Sequence, residues 1–236
     1  MINYFHKNLE VEWLEIHISA EIYELIPDFK IGVIEYKNIT VGDSPQMVKG
    51  RLQLFQESIF FELDNKQLTD LPGIKEWRNI FKNIGKDPNR YRHSAEALFR
   101  RIQKQNYLPS IHSAIDINNF FSLQYQVPIG VYDYDQVKAP VVIRIGKEGE
   151  AYNGLNGRTN SLEQLILSSD ENGPFGSPFV DSDKAPVTVD TKNALQIIYL
   201  RPSTSDEDAA KLTESLMNMF TQIHGGEASY QIVSRK

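Results

Sequence analysis

The stretch SAEALFRRIQKQNYLPSIHSAIDINNFFSLQYQVPIGVYDYDQVKAPVVIRIG, Ser94 to Gly146, holds both signals that decide the fold. Its first part is helical. Ala95, Leu98, Phe99 and Ile102 recur at spacings of three and four, Arg100, Arg101 and Lys104 lie around the other side, and Ser94 stands where an N-cap belongs. Pro109 separates this helix from a second one. Asp116 is placed to cap it, its face is Ile117, Phe120, Phe121 and Leu123, and Pro128 breaks it. Then the period changes. The segment from Val131 to Asp135 is short and aromatic, and Val141–Ile145 is a β-branched run ended by Gly146, which reads as a strand. Helical and strand periods within one segment predict a mixed α/β fold.

The flanks extend that reading. Ile74, Trp77, Ile80, Phe81 and Ile84 form a helical stripe, closed by Gly85 and Pro88. Residues 11–19 and 29–40 read as strands, with a short helix from Ser19 to Leu25 between them, stopped at Pro27. Residues 42–72 carry Leu52, Leu54, Phe55, Ile59, Phe60 and Phe61 in no single period. Downstream, Ser161-Leu-Glu-Gln164 matches a capping box and predicts a short helix. Residues 149–157 and 168–178 read as turn-rich loops, and 185–191 and 195–200 as strands. Ser205 caps a last helix with the stripe Ala209, Leu212, Leu216, Met219, Phe220 and Ile223, ended by Gly225-Gly226. No repeat or linker divides the chain. The expected architecture is one domain over residues 1–236, with helices flanking a central mixed β-sheet or sandwich that contains 29–40, Val141–Ile145 and 195–200.

Composition sets outer bounds. In 236 residues, 41% are hydrophobic and 24% charged, enough apolar material for a core and too much for a disordered chain. Cysteine is absent, which removes disulfides, thiolate metal sites and a Cys nucleophile. No run reaches the roughly 18 apolar residues of a membrane helix, and the first residues lack the apolar core of a secretion signal. The expectation is a cytoplasmic protein with no membrane partner. The net charge is −6, yet residues 75–104 carry nine bases against three acids. Such a segment suits a phosphate-binding face; it equally suits two solvated helix faces.

Motifs for common chemistries are missing. His6, His17, His93, His112 and His224 show no metal-ligand spacing, so no metal is expected. Neither a P-loop, a dinucleotide fingerprint nor a Gly-x-Ser-x-Gly elbow occurs, and no cofactor is expected. Asp116, Asp133, Asp135, Asp181 and Asp183 could supply paired carboxylates for acid and base work, and each also suits a cap or a turn.

One ordered set goes further. Arg92-His93-Ser94-Ala95-Glu96-Ala97-Leu98-Phe99-Arg100-Arg101 is followed by Leu108-Pro109 and by Ala114-Ile115-Asp116-Ile117-Asn118-Asn119. Then come Val127-Pro128-Ile129-Gly130-Val131-Tyr132-Asp133, Val142-Ile143-Arg144 and Gly149-Glu150. This set resembles the B3/B4 domain of the phenylalanyl-tRNA synthetase beta subunit, over residues of about 74–200. Residues 1–70 and the helix over 205–224 are then integral extensions of a stand-alone relative. The resemblance implies a B3/B4-like fold and an editing module, which in the bacterial enzymes hydrolyses tyrosine wrongly esterified to phenylalanine tRNA. A synthetase of this class needs a large separate catalytic domain, and the chain has no room for one, so a ligase is not expected.

The resemblance also implies a site. Its pocket would be bordered by Ser113, Asp116, Asn119, Gly130, Asp133, Asp181 and Ser182, with Asp116 and Asn119 bracing it. Gly130 stands where the synthetase turn has a histidine, which implies a widened pocket. Asp181 takes the place of a substrate-recognising glutamate, and Asp181 and His112 are the candidates to orient the substrate amine or the water. The basic segment then becomes the path of a tRNA acceptor end, past Arg90, Arg92, Arg100, Arg101 and Lys104, with Arg101 turned partly inward beside Ile102. The implied activity is a trans-editing deacylase acting on the amino-acid moiety of a mischarged aminoacyl-tRNA. A tRNA- or RNA-binding module without chemistry and an amino-acid-binding protein stand as alternatives, and the amino acid, the tRNA and the oligomeric state are left open.

Overall fold

The computed structural model describes residues 14–64 and 66–235. Their elements run β1 (Ile16–Ile18), α1 (Ala20–Leu25), β2 (Lys30–Lys37), α2 (Gln46–Leu63), α3 (Pro72–Asn83), α4 (Ser94–Gln103), α5 (Ser113–Tyr125), β3 (Ile129–Asp133), β4 (Val141–Ile145), β5 (Ala151–Asn153), β6 (Thr159–Ser161), β7 (Ile166–Asp170), β8 (Gly173–Gly176), β9 (Ala194–Tyr199), α6 (Asp206–His224) and β10 (Glu227–Ser234). Residues 11–13 of the expected first strand, and His6, lie outside the described residues.

Two four-stranded sheets and one hairpin form. The main sheet has the order β10-β2-β9-β3 and is antiparallel throughout. The second has the order β1-β4-β7-β8, with β1 parallel to β4 and the rest antiparallel. The short pair β5-β6 stands apart. The three strands expected in one sheet thus divide: β2 and β9 belong to the main sheet, and Val141–Ile145 to the second.

Strand alternation explains how the layers stack. Along β2 and β9, Ile31, Val33, Leu195, Ile197 and Tyr199 join the core that reaches the second sheet, α1 and α3. Ile34, Tyr36, Ala194 and Ile198 join the core under α2, α4, α5 and α6. The main sheet is therefore a wall between two cores; its inner strands β2 and β9 are buried on both faces, and they read as near-continuous apolar runs for that reason. No helix among the described residues is long and apolar enough to cross a membrane.

Several local expectations give way to the structure. Residues 46–63, without a clear period in the sequence, form α2. Val48, Leu52, Ile59 and Leu63 are its buried face, and Met47, Leu54 and Phe61 stay exposed on the other, so apolar residues on both sides hid the helical period. The capping box at Ser161 starts no helix. Gln164 takes a left-handed φ of 56°, and the Gln164 N–H donates to the Gly146 carbonyl, extending the end of β4 instead. Residues 168–178 are not a loop but the β7-β8 hairpin; Asp170 Oδ1 accepts from Asn172 N and Gly173, with φ 108°, turns the corner. Pro174 is tolerated because β8 is an edge strand. Residues 185–191 form no strand: one bridge joins Pro186 to Tyr132, and Thr188 to Thr191 close a turn. Beyond α6 the chain adds β10, eight residues that cover the edge of β2.

Candidate functional site

A cavity of about 180 Å³ opens between α4, α5, β3 and the segment around residue 181. Its walls are largely apolar: Leu98, Ile115, Ile129, Val131 and Val187. Ser94, Asn118, Asn119, Ser122 and Asp181 supply the polar groups. Two of these are committed to structure. Asn118 Nδ2 donates to the Ile129 carbonyl (2.9 Å) while its Oδ1 accepts from Gln196 Nε2 (3.1 Å), and the Ser122 hydroxyl donates to the Val127 carbonyl (2.7 Å).

Asp181 is the one charged group on the cavity wall. β3 is the edge of the main sheet, so a residue beside it can face both the cavity and the Tyr132 side of the strand. The Tyr132 hydroxyl donates to Asp181 Oδ1 at 2.7 Å, and Ser177 N donates to the same oxygen at 3.2 Å. Oδ2 accepts no hydrogen bond among the described residues. The loop is held by Ser177, whose hydroxyl donates to the Val180 carbonyl (2.9 Å) and accepts from Phe179 N and Val180 N. Tyr152 adds bonds to Ser177 Oγ and the Val180 carbonyl, and the Asp181 carbonyl accepts from Leu155 N.

This packing sets the charge. Burial pushes the Asp181 carboxyl up from 3.8 to about 6, against the opposing pull of its bonds from Tyr132 and Ser177. Burial, together with the charge of Asp181, raises the phenols of Tyr132, Tyr152 and Tyr199. They stay protonated, Tyr132 and Tyr152 as donors. The site is a carboxylate poised near neutrality at the rim of an apolar cavity.

The expected site residues separate. Asn119 and Asp181 line the cavity; the others do not. Gly130 does not widen it. Its open side is filled by the phenol of Tyr132, which a Cβ at Gly130 or at Gly176 would overlap. Asp116 is buried in α5, one turn past the expected cap position because the helix begins at Ser113; it accepts from Ser44 Oγ (2.5 Å), Ser110 Oγ (2.5 Å) and Ile111 N (3.0 Å), none of them a cavity residue. Ser113 donates to the Gly42 carbonyl and bonds His224 Nε2 at 2.8 Å. His112 is the N-cap residue of α5 and does not line the cavity. Asp133 holds the next turn through Asp135 N and Thr191 Oγ1, and Ser182 is buried behind Asp181, accepting from Lys184 N. Tyr132, Ser177 and Ser94 are the neighbours that sequence reading passed over: Tyr132 was a motif letter, Ser177 a turn and Ser94 a cap.

The basic segment is partly neutralised within the protein. Glu96 is fully buried, and its Oε1 meets Arg78 (3.0 Å), Arg100 (2.8 Å) and Arg92 (4.0 Å). Glu96 lies two positions from both Ser94 and Leu98, so this cluster sits on the side of α4 away from the cavity. The true cap of α4 is His93, whose Nδ1 accepts from Glu96 N (3.3 Å); burial and the charge of Arg78 drive its pKa down to about 3, so it stays neutral. Arg101, expected to turn inward, is exposed, and Arg90 and Lys104 are exposed with it. Among the described residues no group of His, Cys, Asp and Glu is placed to hold a metal.

The B3/4 domain family matches residues 76–217, which carry α4, α5, β3 and the whole cavity. The chain belongs to this family. A relative similar along nearly its whole length is the one described as uncharacterized protein YhzB of Bacillus subtilis (strain 168), 37% identical over 213 residues, covering 90% of this chain and 96% of that one. The phenylalanine–tRNA ligase beta subunit of Bifidobacterium longum is 31% identical over 140 residues, 56% of this chain and only 16% of the subunit. Among solved structures, an N-terminal fragment of the phenylalanyl-tRNA synthetase beta subunit from Pyrococcus horikoshii matches with a TM-score of 0.45 and 14% identity, over 91% of this chain and half of that one. This B3/4 chain thus corresponds to a small part of the ligase subunits and to nearly all of YhzB.

Proposed function

We propose that this protein is a trans-acting deacylase that hydrolyses a mischarged aminoacyl-tRNA in the cytosol. The observation that carries the reading is Asp181: a carboxyl raised to about 6, with Oδ2 unengaged, at the rim of an apolar cavity of about 180 Å³. The kinship with ligase beta subunits supplies the substrate class. The chain works as one unit, with β2, α2 and α6 packed on the helices and strands around the cavity.

The chemistry asks little of the protein. An aminoacyl ester is already activated, so positioning and a base suffice. The side chain of the amino acid enters between Leu98, Ile115 and Val131. Asn119 and the Ser94 hydroxyl face the amine and the carbonyl. Asp181 Oδ2 takes a proton from a water whose oxygen attacks the ester carbonyl. The carbon–oxygen bond to the ribose then breaks, and the ribose oxygen recovers the proton. Free amino acid and uncharged tRNA leave. A carboxyl near 6 is ionised at neutral pH and basic enough for the task. His112 does not line the cavity and is given no part in the step.

The pairing of Arg78, Arg92 and Arg100 with Glu96 favours a second reading, an amino-acid-binding protein that uses the cavity without RNA. A panel of misacylated tRNAs separates the two. The deacylase releases the amino acid from at least one of them, and Asp181→Asn lowers that rate by roughly 10²–10⁴, the usual worth of a general base. No release at micromolar protein, or equal rates for the variant, overturns the reading.

A further inference from the structure

Behind Asp181 lies a chain of buried hydroxyls. The Tyr132 hydroxyl donates to Asp181 Oδ1 at 2.7 Å. The Tyr132 and Tyr199 phenols are hydrogen-bonded to one another, and the Tyr199 hydroxyl lies 2.7 Å from Ser168 Oγ. The chain starts at the cavity rim, passes β3 and β9 of the main sheet and ends on β7 of the second. Tyr132, Tyr199 and Ser168 are all fully buried. The backbone is shaped to hold them. The Tyr132 phenol oxygen fills the open sides of Gly130 and Gly176, where a Cβ would stand 1.9 and 2.1 Å from it. Gly176 pairs with Ser168 across the β7-β8 hairpin, which brings Ser168 to the same place. Phe175 packs edge-on against Tyr132, and Trp77 edge-on against Tyr199.

Asp181 sets the direction of the chain. An ionised carboxylate has no proton to give, so the Tyr132 proton lies on the bond to Oδ1. The Tyr132 oxygen then accepts from Tyr199, and the Tyr199 oxygen accepts from Ser168. Three protons fill three bonds. The reverse order needs a proton on Asp181, and it leaves the Ser168 hydroxyl without an acceptor among the described residues, a cost to any buried hydroxyl. Bonds in a chain polarise one another, and a bond to a carboxylate is stronger than one to its neutral acid. Each link therefore favours the ionised carboxylate, including the links that never touch it. The other titratable neighbour of Asp181 is the Tyr152 phenol, which bonds Ser177 and the Val180 carbonyl instead. Lys184 is held by Asp170, and Asp183 is exposed.

We propose that Tyr199 and Ser168 are positioning residues of Asp181: through Tyr132 they hold Oδ1 and favour the ionised carboxylate, leaving Oδ2 to the cavity. Neither residue lines the cavity. The consequence for deacylation rests on the reading of Asp181 as the base; the effect on the carboxyl itself does not.

Carbon-13 NMR of the aspartate carboxyls in the full chain reads the titration directly, with the Asp181 signal assigned by its loss in Asp181→Asn. The expected midpoint is about 6. Tyr199→Phe keeps the ring and removes one link, and should raise the midpoint by about half a pH unit, roughly threefold in proton affinity. Ser168→Ala should raise it by less. Ser168 acts only through Tyr199, and Tyr199 only through Tyr132, so the effects are not additive. Ser168→Ala should add nothing to Tyr199→Phe, and neither should add anything to Tyr132→Phe. Under the deacylase reading, the acid limb of the rate profile moves with the NMR midpoint in each variant. A midpoint unmoved by both Tyr199→Phe and Ser168→Ala overturns the proposal. So does a shift that persists in full in the Tyr132→Phe background, which would mark a general loosening of the core. A rate profile that ignores the midpoint, or no deacylation at all, overturns the deacylase reading alone, and the NMR titration still decides the chain.

Discussion

Replacing Asp181 by Asn should make the protein more stable at neutral pH while removing its activity. In the folded chain the carboxyl titrates at about 6, and in the unfolded chain at the usual 3.8. Between those values the folded state holds a proton that the unfolded state has lost. The stability linked to this group is therefore full below about 3.8 and is lost as the pH rises through about 6. Above that, both states are ionised and the folded one carries an ill-solvated charge. At about 1.4 kcal/mol for each pH unit, the gap amounts to about 3 kcal/mol. Asn keeps the shape, and its Oδ1 still accepts from the Tyr132 hydroxyl and Ser177 N. Urea unfolding at pH values from 4 to 8, followed by circular dichroism, reads the difference. The variant should gain up to about 3 kcal/mol at pH 7.5, or roughly 6–12 °C in Tm for a chain of this size, and should converge with the natural protein near pH 4. Parallel curves, or a variant weaker at pH 7.5, would refute the reasoning that this charge is held against the fold's own preference. Such a trade is what an active carboxylate requires and a merely structural one does not.

Other substitutions probe the neighbours. Tyr132→Phe removes a bond that holds the Asp181 carboxyl down, so the acid limb of the deacylation profile should move above about 6, read from initial rates across pH. Gly130→Ala drives a methyl into the Tyr132 phenol and should cost roughly 1–3 kcal/mol in urea unfolding. Glu96→Ala strands Arg78 and Arg100 without their acid and should cost about 3 kcal/mol, the low end for a buried pair because Arg100 is about a third exposed. Arg101→Ala with Lys104→Ala should flatten the log–log salt dependence of tRNA affinity by roughly 0.7–0.9 for each phosphate no longer neutralised, whereas Arg100→Ala should act mainly on stability.

Helices with one apolar face were legible from their residues: α3, α4 and α6 each carry a clean stripe and a stop at Gly or Pro, while α5, buried nearly all round, showed by its apolar run and the break at Pro128. α2 was not, since Met47, Leu54 and Phe61 add a second stripe to the first. Strands buried on both faces, β2 and β9, announced themselves by composition, but which sheet Val141–Ile145 would join depends on pairings far along the chain that no local period encodes. Gly and Pro in residues 168–178 looked like loop formers because their use at a hairpin edge depends on β7 lying alongside. For the site, family likeness pointed to Asp181 and Asn119. It misplaced Gly130, because the space opposite a glycine is decided by whatever side chain turns into it. Here that is Tyr132, two residues on and on the same side of the strand. Arg100 misled for a related reason: Glu96, one helical turn before it, is buried beneath it.

The strand order β10-β2-β9-β3 has a consequence for biosynthesis. β2 ends at Lys37, yet neither of its neighbours begins before Ala194. At ribosomal rates of about 5–20 residues per second, roughly 10–30 s pass between the emergence of β2 and that of β9. Through that interval Ile31, Val33, Ile34 and Tyr36 have no sheet to join, and the last partner, β10, arrives only with Glu227–Ser234. Closure of the two cores on this wall therefore waits for Glu227–Ser234, and until then the apolar faces of β2 stay open to wrong partners.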